Sequence, residues 1–282
     1  MRRAFIRRIL PIAGTVMLFM LAVPVFVMDQ FRIKGVSMNP ALIEGDHVLV
    51  NKLLMGARIY RNYDFSRHSL SSFRMPGIGN AGIGDVLVFN YPDPYGTGKI
   101  EFRINYVYVK RCIGRPGDTV GIKNGYFYNL SLEEGAVIGE ERYQRALSRR
   151  ADSSLAGNVN IAYEAVRMYD GTTWTIKEFG PLYVPAEGQT VRITAANLKL
   201  YEKVIELETG VRPVLRDSVC VMLGDRQLAE YTFRGNYYFL CGDNVFNSDD
   251  SRYFGFVPED YIIGVATRII CSGRSGKLQP GG

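Results

Sequence analysis

Ile9 to Met28 is a run of twenty residues without a charge, and Arg2, Arg3, Arg7 and Arg8 precede it. Twenty residues in a helix rise about 30 Å, the thickness of a bilayer's hydrocarbon core. Positive charge stays on the cytoplasmic side, so residues 1–8 are expected there and everything after Asp29 on the opposite face. A cleaved signal peptide would carry a shorter apolar run, about 7–15 residues, and a small-residue cleavage site. This run is longer and no A-x-A follows it, which favours a retained anchor over residues 9–28. Pro11 and Pro24 lie near its ends, where kinks are tolerable. No later stretch is apolar for long enough to span, and the tail, 273–282, is short and polar. The expected arrangement is therefore single-pass in a membrane, with the N-terminus cytoplasmic and a large domain on the extracytoplasmic side.

The chain of 282 residues is 47% hydrophobic, enough for a substantial core, and its 30 glycines, 18 tyrosines and 15 phenylalanines favour strands and turns. The net charge of +6 is partly the N-terminal arginines, and no basic stripe is interleaved with aromatics, which argues against nucleic acid as a partner. Cys112, Cys220, Cys241 and Cys271 form no CxxC pair, so no metal site is expected from them. Outside the cytoplasm a disulfide is permitted; four buried free thiols fit equally, and the sequence does not decide between them. Strands are expected at His47–Asn51, Asp85–Asn90, Ile104–Lys110, Asn236–Cys241 and Tyr261–Ile270, each short, β-rich and bounded by turn residues. Pro116-Gly117 suits a type II turn. Residues 56–83 read as a long loop. Glu133–Arg150 and Ala195–Thr209 have helical character, the second with Gly210 as a stop. Trp174, Ile176 and Val184 lie between them in strand-like text. The expected fold class is mostly β: an antiparallel β-sheet core (29–124 and 236–272), an inserted mixed α/β subdomain (125–235) and one N-terminal transmembrane helix.

Only His47 and His68 are available to a Ser-His-Asp system, one in a strand among valines and one in an irregular stretch. Serine chemistry is therefore directed towards a lysine base. Such a base must lose its proton near working pH, and burial among apolar groups penalises the charged form. Lys110 ends the strand text INYVYVK, where it shares a face with Tyr106 and Tyr108 while Arg111 points away. Ser37, in GVSMNPAL, lies nine residues past the end of the apolar run, with Gly35 allowing close backbone approach. The segment CGDNVFNSDDSRYFG packs carboxylates, amides and Arg252 beside a strand. It lacks the spacing of a calcium loop, and Arg252 would oppose a cation, so a hydrogen-bonded loop with Asp–Arg pairing is the better reading.

Four segments together resemble the type I signal peptidases. GVSMNPAL is similar to the family's nucleophile box, GDHVLVNKL to the strand box after it, YVKRCIGRPGDTV to the lysine box, and GDNVFNSDDSRYFG to the late box, all in family order. The resemblance implies a serine endopeptidase that removes signal peptides after small residues. Ser37 would be the nucleophile and Lys110 the general base, with Ser248 orienting the amine. The Ser37 backbone N–H would serve the oxyanion. Asp243, Asp250 and Arg252 would hold the late loop, with Arg111 as an ion-pair partner. Phe31, Ile33, Met38, Leu42, Tyr108 and Val109 match the walls of the substrate groove. Neither metal nor cofactor is implied. The implied partners are exported preproteins, membrane lipid and, by position, the secretion machinery.

The departures bear on the chemistry. Many members carry a serine two positions before the nucleophile, as an oxyanion donor; this chain has Gly35 there, as some branches do. Ala41 replaces the usual Thr, and Cys112 and Arg115 replace small or apolar residues. None removes the dyad. Two other readings accommodate the same motifs: a dedicated Ser-Lys processing protease for one secretion pathway, and an inactive membrane-tethered binding relative.

Overall fold

The computed structural model describes residues 14–273 apart from 16, 21, 63–68 and 160. The chain is mostly β. Its centre is a seven-stranded sheet of β1 (Met28–Arg32), β2 (His47–Asn51), β3 (Val86–Asn90), β4 (Val107–Gly114), β5 (Tyr237–Cys241), β6 (Val257–Pro258) and β7 (Ile262–Cys271). Across the sheet the order is β1-β2-β7-β3-β4-β5-β6, and every neighbouring pair is antiparallel.

Alternation decides the faces. In β2, Val48 and Val50 are buried while His47, Leu49 and Asn51 are half-buried. β3 lies inside the sheet and buries both faces, Val88 on one side and Leu87 and Phe89 on the other. The sheet thus separates two apolar clusters. The smaller holds Ile33, Met38, Leu42, Val48, Val50 and Val88. The larger runs from Leu87, Phe89, Phe239 and Leu240 into residues 125–235 through Leu147, Leu155 and Ile205.

That continuity bears on the boundary expected at 124/125. Thr119–Lys123 pairs with Tyr126–Asn129 and with Phe179–Tyr183 in one three-stranded sheet. The boundary falls inside a hairpin whose Asn124-Gly125 turn has φ of 50° and 81°, the Asn-Gly signature of a type I′ turn. The helix expected over Glu133–Arg150 is confined to α1 (Glu141–Ser148), after Gly135 and Gly139, both at φ 85°. α2 (Leu198–Thr209) ends on Gly210 at φ 73°, a left-handed cap. Lys99 pairs with Glu206 of α2 at 2.9 Å and Lys203 with Asp93 at 3.7 Å, joining this helix to the core.

Residues 56–83 are not only loop: Arg58–Tyr60 pairs with Ser72–Arg74. Arg74 holds this ribbon down by donating to the carbonyls of Gly56, Glu259 and Ile262 at 2.8, 2.7 and 2.6 Å. The strand expected over Ile104–Lys110 starts later and runs further, as β4. All four cysteines are free, Cys112 and Cys241 buried.

The expected anchor over 9–28 lies partly outside the described residues. Its described positions 14–15, 17–20 and 22–26 are helical, and Met17, Leu18, Phe19 and Met20 are exposed. Met28 opens β1 instead of closing the helix. Among the described residues no helix is long and apolar enough to cross a membrane. Residues 1–8, His68 and tail residues 274–282 lie outside the described residues.

Gly264 in β7 sits against β2, where an added Cβ would meet Asn51 O at 2.5 Å and Val50 Cγ1 at 2.9 Å. Gly264→Ala should destabilise the fold by about 1–3 kcal/mol, read as a lowered thermal midpoint. An unchanged midpoint would show that the β2–β7 spacing is slack.

Candidate active site

Lys110 stands in the middle of β4, opposite Leu87 of β3. Strand alternation turns its side chain to the same face as Tyr108, whose ring centroid lies 5.2 Å from Nζ. The residue is 3% exposed. Burial lowers the pKa of its amine, against the pull of Asp250 and Asp249, which favour the ammonium; Arg252 adds to the lowering. Nζ lies 2.5 Å from Ser37 Oγ. A neutral amine there accepts the hydroxyl's proton; an ammonium donates to the oxygen.

Ser37 lies in the turn between β1 and β2. Its carbonyl accepts from Asn244 N–H at 3.0 Å, and Asn244 Nδ2 donates to Val36 O at 3.3 Å. The Ser37 turn is therefore pinned by the loop after β5. The Ser37 N–H donates to no acceptor among the described residues.

That loop is held by two guanidinium–carboxylate forks. Asp250 accepts Nε and Nη2 of Arg252, each at 2.8 Å, with both side chains fully buried. Asp250 also accepts Gly242 N–H at 3.0 Å, and Arg252 donates to Val245 O at 3.1 Å. Burial alone would raise the Asp250 pKa, but the Arg252 charge and these hydrogen bonds hold it below the usual carboxylate value. In the second fork, Arg111 on β4 donates to Asp243 at 2.7 and 2.6 Å and to Gly84 O at 2.6 Å. The Asp243 hydrogen bonds raise the Arg111 pKa further.

Ser37 and Lys110 open onto a cleft of about 910 Å³. One wall follows Phe31, Arg32 and Ile33; another is β4 from Val107 to Lys110. β5 pairs with β4 only over Arg111–Gly114, so the preceding residues have one open side. Tyr91 N–H bonds Tyr106 O across from β3. By the alternation of an antiparallel ladder, the backbone groups of Val107 and Val109 face the open side.

The family model described as "Signal peptidase, peptidase S26" matches residues 5–175 and 184–271. The chain belongs to this family. It is a peptidase, a hydrolase. It is 27% identical over 266 residues to Signal peptidase I of Aquifex aeolicus, covering 94% of this chain and 84% of that one. It is also 27% identical over 275 residues to Signal peptidase I of Pseudomonas aeruginosa, covering 93% and 72%. A crystal structure of a signal peptidase I from Enterococcus faecalis is 22% identical, with a TM-score of 0.32, over 68% of this chain and all of that one.

In this peptidase the expected site residues divide by position. Ser37 and Lys110 are brought together, and Phe31, Ile33, Met38, Tyr108 and Val109 line the cleft. Leu42 does not line it; it is 7% exposed in the cluster behind Met38. Asp243, Asp250, Arg252 and Arg111 build the two forks. Ser248 is 9% exposed and lies close to Ser37, and its Oγ makes no hydrogen bond to Lys110 among the described residues. Three contributors escaped the sequence reading. Asn244 pins Ser37. Gly242 leaves room where an added Cβ would meet Ser248 Oγ and Ser37 O, the latter at 2.5 Å. Asp249 lines the same cleft as the lysine. All three stand in the late box; their pairing with the Ser37 turn exists only in three dimensions.

Gly242→Ala should push Ser37 and Ser248 apart and lower kcat by about 10- to 100-fold while the protein stays folded by circular dichroism; full activity would refute the close packing. Lys110→Met tests the buried amine. Because burial lowers its folded pKa, the unfolded chain binds that proton more readily, so a stability cost grows as pH falls through the ordinary lysine range and is complete below the folded pKa. Lys110→Met should therefore keep or raise Tm at pH 7. A fall of several degrees would mean that the site holds the charged form.

Proposed function

We propose that this peptidase removes N-terminal signal peptides from exported preproteins, cutting after small residues at A-x-A sites, with Ser37 as nucleophile and Lys110 as general base. The observation that carries this reading is the 2.5 Å contact between Ser37 Oγ and the amine of a lysine only 3% exposed. Its similarity to the Signal peptidase I of Aquifex aeolicus and of Pseudomonas aeruginosa supports the substrate class.

The substrate lies extended in the cleft and adds its backbone to the open side of Val107 and Val109, as an extra strand. Phe31, Ile33, Met38 and Val109 present apolar walls to its side chains. Ser37 Oγ attacks the scissile carbonyl as neutral Lys110 takes its proton. The oxyanion forms beside the unengaged Ser37 N–H. Lys110 passes the proton to the leaving amine, then takes one from the water that releases the acyl group. Ser248, packed under the dyad by Gly242, turns its hydroxyl to the amine and orients it. Gly35 has φ 83° and open space where a side chain would stand, so the backbone carries oxyanion stabilisation without a second hydroxyl. The chemistry as written requires neither metal nor cofactor.

Residues 9–28 serve as a membrane anchor, with the N-terminus cytoplasmic and the catalytic domain extracytoplasmic. The exposed apolar side chains of Met17 to Met20 support this. Ser37 then works near the bilayer surface, where signal peptides end.

Ser37→Ala and Lys110→Ala, each purified in detergent, should lose cleavage of a preprotein with an A-x-A site by about 1000-fold or more; robust turnover by either variant would sink the dyad. Wild-type kcat/KM should rise with pH through one ionisation below the ordinary lysine value, because the base works only when neutral and burial lowers its pKa. A profile flat down to pH 4 would contradict that assignment.

A further inference from the structure

The charges around Lys110 do not balance. The late loop and β5 present Asp249, Asp250, Arg252 and Cys241 to the amine. Asp250 and Arg252 form a fork with both side chains fully buried, so their fields largely cancel at Nζ. Burial pushes up the Cys241 thiol and the Tyr108 phenol, which leaves both neutral. Asp249 remains. It lines the same cleft as Ser37 and Lys110 and is exposed at its rim. No lysine or arginine among the described residues forms an ion pair with it. Around it stand Lys110, the Tyr91 hydroxyl, Asp250 and Asp93, and Asp93 has its own cation in Lys203 at 3.7 Å. Tyr91 is itself fixed, its ring 4.4 Å from Tyr108 and 5.0 Å from Phe254 between centroids.

We propose that Asp249 is the electrostatic partner of Lys110: its carboxylate stabilises the ammonium that forms as Lys110 takes the Ser37 proton, and it sets the pH at which the base becomes available. This rests on the Ser37–Lys110 reading above. The step moves one proton. The Ser37 O–H bond breaks, an N–H bond forms on Lys110, and Asp249 neither gains nor loses a proton. A cation created on an amine that is 3% exposed needs a fixed counter-charge, and a carboxylate in the same cleft with no cation of its own supplies one. Asp249 acts through the lysine and is a positioning residue. The same charge holds the lysine in its protonated form to higher pH, opposing the effect of burial.

The test is the pH profile of kcat/KM for wild type, Asp249→Asn and Asp249→Glu, in a preparation that loses activity on Ser37→Ala. Asp249→Asn should move the acid limb to lower pH and reduce the high-pH plateau by about 2- to 10-fold, because a weaker base is free earlier but accepts the proton less readily. Asp249→Glu should keep the wild-type limb. In 1 M salt, where the screening length is about 3 Å, the wild-type limb should move towards that of Asp249→Asn, and the Asn variant should move less. Superimposed limbs in wild type and Asp249→Asn overturn the proposal alone; so does an equal loss at every pH, the mark of a purely structural role. Cleavage that survives Ser37→Ala overturns the dyad and this proposal together.

Discussion

The catalytic end of the sheet depends on a guanidinium–carboxylate pair from which water is excluded. Asp250 and Arg252 lie two residues apart, both fully buried, and between them they take up Gly242 N–H and Val245 O. Removing one partner of such a pair leaves a charge in the interior and costs about 3–5 kcal/mol. The pair therefore ties both ends of the loop from Gly242 to Arg252 together. From that loop Asn244 reaches across to the Ser37 carbonyl. Ser37 is thus held by a segment more than two hundred residues later in the chain as well as by its own turn, where Asn39 N–H donates to Val36 O.

The same construction keeps Lys110 dry. The lysine stands in the sheet interior beside Tyr108, and the late loop closes over it with a charge pair that is internally neutral. A closed fork offers the ammonium little net attraction, so desolvation wins and the pKa falls. Without Arg252, Asp250 would pull the amine more strongly towards its charged form. The Arg111–Asp243 fork does the parallel task on the other face of β4, where Arg111 is turned away from the dyad by strand alternation.

Strong local patterns made much of this legible in the sequence. HVLVN and DVLVFN announce strands by alternation and by a buried run, Gly210 announces a helix end, and the Ser37, Lys110 and late segments stand in recognisable order. What escaped was non-local or tied to a single turn. Asn124-Gly125 marked a hairpin across the boundary drawn at 124/125. The ribbon in residues 56–83 has too little apolar periodicity to show, because its stability comes from Arg74 capping three distant carbonyls. Leu42 matched a groove position by motif, yet it packs behind Met38. Ser248 sits where a motif match would put it, close to Ser37 across Gly242, without a hydrogen bond to the amine among the described residues. Gly242 and Asn244 act through contacts with residue 37 that no spacing rule reveals.

The one-sided pairing of β4 has a consequence for what this enzyme leaves alone. A strand edge at Val107–Val109 accepts only a segment whose own backbone hydrogen bonds are unmade. A folded protein keeps such groups engaged in its own helices and sheets, and a helix is too wide to lie flat against the edge. The cleft is thus a filter for conformation ahead of any filter for side chains. If the proposed substrate class holds, a preprotein still unfolded fits this edge, and the same chain once folded does not. Folded neighbours of such a peptidase are thereby spared by their own hydrogen bonding, with no separate control.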